Sequence, residues 1–199
     1  MFEKNIYINR RKKLTTKMKS GVGLFLGNEE SPMNYAGNTY KFRQDSSFLY
    51  FFGLDFPGLA GVIDFDSGEE YIFGNDVDID DIIWMGPQVT ISENASKVGV
   101  QKSAPFAKLN DFLKEALGKG RKIHFLPPYR GDNKIMLEDL LGIPFARLNE
   151  YVSVELIKAV VALRSVKEPC EIEEIKIACA TGYEMHVTAM KELLQPAVA

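Results

Sequence analysis

Groups equipped for chemistry are scarce in this 199-residue chain: it has two histidines, two cysteines and one tryptophan. Neither His124 nor His186 has a second His, Cys or carboxylate at ligand spacing, and no HExxH or CxxC pattern is present. Both read as packed or interface histidines. A Gly-x-Ser-x-Gly elbow for nucleophilic hydrolysis is also missing. Neither charge dominates, since 24 Lys and Arg oppose 27 Asp and Glu for a formal net charge of -3. With no basic stripe, nucleic acid is an unfavoured partner. No stretch approaches the ~20 apolar residues of a membrane span, and the N-terminus MFEKNIYINRRKKL lacks an apolar signal core. A soluble, cytoplasmic protein is the expectation, with no membrane partner. Cys170 and Cys179 fall in one predicted helix about 13 Å apart, too far for a disulfide, so both read as reduced thiols.

What is present is a globular composition, 46% hydrophobic, enough for one ordinary domain and a little more. Residues 4–19 read as a basic helix with Ile6, Arg10, Leu14 and Met18 at i,i+4 spacing, ended by Gly21. Val22 to Leu26 reads as a buried strand. The run from Asn28 to Ser47 is a long loop, and Phe48 to Leu54 reads as a strand buried on both faces. Gly61 to Phe65 and Tyr71 to Phe73 form an expected hairpin through Asp66-Ser-Gly68. A helix follows Pro105 and stops at Gly118 or Gly120. Arg121 to Leu126 returns as a strand, Asp132 to Leu141 as a helix, and Phe145 to Leu148 as an extended piece. The alternation predicts an α/β fold, a mixed β-sheet flanked by helices, over roughly residues 1–150.

The last stretch differs. Apolar or small residues at 172, 175, 179, 182, 186, 189 and 193 mark one long helix with a narrow seam, running on into Leu194-Gln-Pro196. Glu171, Glu173 and Glu174 after Pro169 suit its first turn. Such a seam needs a partner surface, so further chain beyond residue 199 is expected.

Few segments suggest a site. The acidic run Asn75 to Asp81 fails the calcium-loop pattern, because Asp81 and Pro87 stand where Gly and Glu belong. Gly21, Gly23 and Gly27 follow a helix and enter a strand, the reverse of a dinucleotide fingerprint. Trp84, beside Gly86-Pro87, reads either as a core residue or as a rim aromatic that stacks on a ligand or partner. Arg43 and Asp45, next to an aromatic run, read as a structural fastener that pairs or bonds nearby backbone.

Several stretches resemble one family. Tyr40-Lys-Phe42-Arg43-Gln44-Asp45-Ser46, followed by Phe48-Leu-Tyr50 and Gly53, is similar to the signature of the N-terminal domain of Xaa-Pro aminopeptidases (aminopeptidase P). Ile83-Trp-Met-Gly86 and Lys97-Val-Gly99-Val100 resemble later stretches of that domain. Leu163 to Ile172 resembles the junction into the first helix of the catalytic domain. Two departures stand out: Glu168 replaces a usual Ser, and Pro87-Gln88 replaces a frequent Arg-Arg.

The resemblance implies a creatinase/prolidase-type, ribonuclease H-like domain over residues 1–160, with 161–199 as the junction and first helix of a pita-bread catalytic domain. That second domain would hold two manganese ions on two Asp, one His and two Glu, none of them assignable here, and would remove the residue before proline. It also implies a homo-oligomer, dimer or tetramer, in which this domain shapes the cleft. Trp84 would then approach a neighbour's site in trans. The implied partners are the chain's own C-terminal catalytic domain and a peptide with proline at its second position. Tyr40 to Ser46 are motif residues with a structural role. Rival readings are a prolidase or creatinase domain, and a non-enzymatic protein-binding module of the same fold.

Overall fold

The computed structural model describes residues 1–77, 82–84 and 86–193. The chain forms two compact units, Met1–Leu163 and Arg164–Ala199. In the first, helix α1 (Lys4–Thr15) leads to strand β1 (Val22–Leu26), a small hairpin of β2 (Pro32–Tyr35) and β3 (Asn38–Thr39), and helix α2 (Ser46–Phe52). Strands β4 (Ala60–Asp64) and β5 (Glu70–Phe73) follow, then α3 (Ile91–Lys97), β6 (Lys102–Ala104), α4 (Lys108–Gly118), β7 (Ile123–His124) and α5 (Gly131–Leu141). A 3-10 turn at Phe145–Arg147, α6 (Leu148–Tyr151) and α7 (Val154–Ser165) close the series.

The sheet is mixed, with order β6-β5-β4-β1-β7. β4 is antiparallel to both β1 and β5, whereas β6 and β7 join the two sides in parallel. Strand side chains alternate between faces, and here both faces are covered. Phe25, Ile63 and Ile72 point into one core with residues of α1, α2, α3 and α7. Their neighbours Leu24, Val62 and Phe73 point into the other, against α4 and α5. The predicted class, a mixed β-sheet flanked by helices, is the observed one. The β4–β5 turn also forms as expected: Asp64 accepts from the backbone N–H of Asp66 (3.0 Å) and Ser67 (3.1 Å), and Gly68 takes a left-handed φ of +75°.

Three expectations are corrected. Phe48 to Leu54 is not a strand: Ser46–Phe52 is a helix. Asp45 accepts from the backbone N–H of Ser47 (2.9 Å) and Phe48 (2.8 Å), and Gly53 ends the helix in the left-handed conformation at φ +67°. The burial of Phe48, Phe51 and Phe52 follows helical spacing, while Leu49 is exposed. Phe145 to Leu148 is helical too, because Pro144 starts a turn that Arg147 N–H closes at 2.8 Å. The strand expected over 121–126 pairs only at Ile123–His124, alongside Val22 and Gly23.

In the second unit, α8 (Pro169–Leu193) is the long helix foreseen from the seam, and none of its residues is buried. Residues 194–196 of that expectation lie outside the described residues.

Candidate functional site

The motif loop is held by a buried glutamine. Gln44 Oε1 accepts from the backbone N–H of Asn28 (2.7 Å) and of Asp45 (2.9 Å), and its Nε2 donates to the carbonyls of Phe56 (2.8 Å) and Leu54 (3.3 Å). One side chain therefore ties the exit of β1, the start of α2 and the chain beyond it. Asn28 extends the network, donating from Nδ2 to Arg43 O (2.8 Å) and to the Tyr129 hydroxyl (3.1 Å). Each of these groups would cost free energy if buried unpaired, so the network fixes the loop rather than leaving it free.

Helix α2 is held at its other end by α1. Its last carbonyls have no partner within the helix. Arg10 Nη1 donates to Tyr50 O (3.0 Å) and Arg11 Nη1 to Phe51 O (2.8 Å), placing positive charge where the helix dipole is negative. The Arg10 guanidinium also lies 4.0 Å from the Tyr50 ring centre. Two glycines permit the close packing. A Cβ on Gly53 would meet the Tyr7 ring at 2.3 Å, and one on Gly61 would meet the Phe52 ring at 2.3 Å.

The sequence-predicted residues are placed unevenly. Gln44 and Asp45 belong to the network. Arg43 contributes its carbonyl while its side chain is exposed, so the expected fastener works through Asp45 and backbone, not through an Arg43–Asp45 pair. Tyr40 is exposed, Phe42 is half-buried and Ser46 is exposed at the first turn of α2. Trp84 is 87% exposed, which corrects its reading as a core residue. Of the stretch around it, 78–81 and Met85 lie outside the described residues, as does most of the acidic run; Asp76 accepts from Ile91 N–H at 2.6 Å.

His124 is buried and paired: Nε2 is 3.0 Å from Ser20 O and Nδ1 2.6 Å from Ser153 Oγ. The carbonyl can only accept, so Nε2 carries the proton and Ser153 donates to Nδ1. His186 is exposed on α8, and both cysteines are free thiols. Among the described residues no group of three His, Cys, Asp or Glu is placed to hold a metal ion. Sequence reasoning missed Asn28, Arg11, Tyr129 and Asn133. For Arg11 a signal existed, since it shares helical spacing with Tyr7, Leu14 and Met18.

Fold and network together define a three-layer α/β domain whose signature residues build shape. A family model of the aminopeptidase P N-terminal domain matches residues 7–124. A Saccharomyces cerevisiae protein described as an uncharacterized peptidase is 24% identical over 198 residues, 96% of this chain and 33% of its own length. Proline aminopeptidase P II from Yersinia pestis shares the fold with a TM-score of 0.61 and 23% identity, covering 71% of this chain and 33% of that one. An alanine variant of Escherichia coli aminopeptidase P gives a TM-score of 0.69 and 21% identity over 86% of this chain and 41% of that one. The chain belongs to the aminopeptidase P N-terminal domain family. It spans about a third of the length of the yeast and Yersinia relatives. No helix among the described residues is long and apolar enough to cross a membrane.

Proposed function

We propose that this chain is the non-catalytic N-terminal domain of a dinuclear-manganese Xaa-Pro aminopeptidase, which removes the N-terminal residue before proline. The observation that carries the reading is the match of residues 7–124 to that domain family. In this reading the metal ions and their ligands belong to a separate catalytic domain, and the present chain orders a cytoplasmic homo-oligomer and narrows the cleft to peptides with a free N-terminus. Exposure of Trp84 supports its placement at a rim, where an aromatic ring can stack on a substrate bound by a neighbouring subunit.

The test is an assay of an Xaa-Pro peptide with added manganese. The 199-residue chain alone should leave the peptide intact, while the protein read from the continuous gene, catalytic domain included, should cleave it. In that longer protein Trp84→Ala should lower kcat/KM about tenfold, equivalent to roughly 1.4 kcal/mol of transition-state binding, with an unchanged melting temperature. Metal-dependent cleavage by the 199-residue chain itself would overturn the assignment.

A further inference from the structure

His124, the last residue of β7, meets the start of α7 through Ser153. Ser153 Oγ donates to its Nδ1 at 2.6 Å, while Nε2 donates to Ser20 O at 3.0 Å. Ser153 also caps α7, since its Oγ accepts from Leu156 N–H at 3.2 Å and its carbonyl from Ile157 N–H at 2.9 Å. Its own N–H donates to Phe125 O at 3.1 Å, just beyond β7. Both side chains are shut off from solvent, with His124 2% exposed and Ser153 0%.

The arrangement suits one protonation state of the ring. With the imidazole neutral and its proton on Nε2, each of these groups is paired. A second proton turns Nδ1 into a donor aimed at Ser153 Oγ. Oγ can accept from both Nδ1–H and Leu156 N–H, but its own hydrogen then loses its acceptor, and among the described residues Oγ has no third partner. A donor stranded at a fully buried position is costly. The ring has little room to turn aside: Phe65 packs against it at 5.9 Å between ring centres, and a Cβ on Gly21 would stand 2.8 Å from Nε2. Three charged groups face the ring, Lys122 from its own strand, Asp66 from the β4–β5 turn and Glu155 from α7. The two carboxylates favour a cationic ring and Lys122 disfavours it, but burial outweighs them, and Asp66 is already paired with Arg121 at 2.6 Å. The proton is therefore accommodated by opening the contact.

We propose that His124 and Ser153 form a proton-operated latch, in which a proton taken up on His124 Nδ1 frees the first turn of α7, residues 153–157, from β7 while the sheet stays folded. Once freed, an imidazole with the ordinary value near 6.5 is about nine-tenths protonated at pH 5.5 and about one-tenth at pH 7.5. The open population of this turn should accordingly rise about tenfold over that interval.

Amide hydrogen exchange of the 199-residue chain, followed residue by residue by NMR and corrected for the intrinsic effect of pH, tests the latch. Protection at Leu156 and Ile157 should fall about tenfold from pH 7.5 to pH 5.5 and should lie below that of β4, the middle strand of the sheet, at both values. His124→Gln should abolish the pH dependence at these two amides. Ser153→Ala should lower Leu156 protection already at pH 7.5 and leave a smaller change on acidification, an outcome that a cap acting without the histidine would not produce. Three results would each overturn the proposal: protection at Leu156 and Ile157 that does not change with pH, protection there that equals that of β4 so that α7 opens only with the whole unit, or a full tenfold change that survives in Ser153→Ala. The profile of the unmodified chain and that of Ser153→Ala decide the matter even if His124→Gln fails to fold.

Discussion

Arg11 Nε lies 2.8 Å from a carboxylate oxygen of Glu70, and this contact joins α1 to β5. The arginine side chain is fully buried and that of Glu70 is 19% exposed. Burial pushes the Arg11 guanidinium below its usual range and the Glu70 carboxyl above its own, with the attraction between them opposing both shifts. Such a pair adds little over an apolar one, yet losing one member is costly. Arg11→Ala should destabilise the first unit by about 3–5 kcal/mol in urea unfolding. Combining Arg11→Met with Glu70→Met should cost less than the sum of the single changes; strict additivity would mean the charges are not coupled.

The cap on α2 is a smaller contribution. Asp45→Ala should cost about 1 kcal/mol and Asp45→Asn only a few tenths, because both Asp and Asn supply the accepting oxygen. Equal losses for the two variants would show that the negative charge matters more than the hydrogen bonds.

Gly61 is a position where space decides. Gly61→Ala drives a methyl into the Phe52 ring and should cost about 1–3 kcal/mol. Adding Phe52→Leu should recover part of that loss, measured by thermal melting. No recovery would place the clash elsewhere.

His124 sets a pH dependence. Burial pushes its imidazole below the ordinary value, opposed by the bond to Ser20 O and by Glu155 and Asp66, and reinforced by Lys122. A base whose folded-state value is depressed binds fewer protons folded than unfolded. Its contribution is therefore fully present above the unfolded value of about 6.5 and declines as pH falls below it. The melting temperature should drop between pH 7.5 and pH 5.5, and His124→Gln should flatten that drop. An unchanged pH profile in the variant would remove His124 as the source.

The single tryptophan offers a direct optical check. With Trp84 87% exposed, its emission should be that of a hydrated indole and iodide should quench it readily. In the longer protein, an oligomer interface that covers Trp84 should shift the emission to the blue and protect it. A blue-shifted, iodide-resistant spectrum in the 199-residue chain would contradict the exposure.

Much of this architecture was legible in the sequence, and the reasons differ by element. Strands β1, β4 and β5 are short β-branched or aromatic runs bounded by turn residues, and α4, α5 and α8 carry helical periodicity. Helix α2 was misread because a seven-residue apolar run has no period of its own. Its helical state is set by Asp45 on one side and by Arg10 and Arg11 from 40 positions away, on the other. Strand β6 and the β2–β3 hairpin were missed because each is only two to four residues long. The signature residues Gln44 and Asp45 stood out by their placement beside aromatics. Asn28 and Asn133 did not, since a buried asparagine carries no sequence mark until its partners, 105 positions apart, are brought together.

The knot of bonds around Gln44 also sets where this chain can be altered safely. It closes the base of residues 29–43, so the hairpin above it is a handle whose strand β2 is wholly exposed. Graft points for an epitope tag or a fluorophore belong at Gly37, near the tip of that handle, where added length strains nothing beneath the knot.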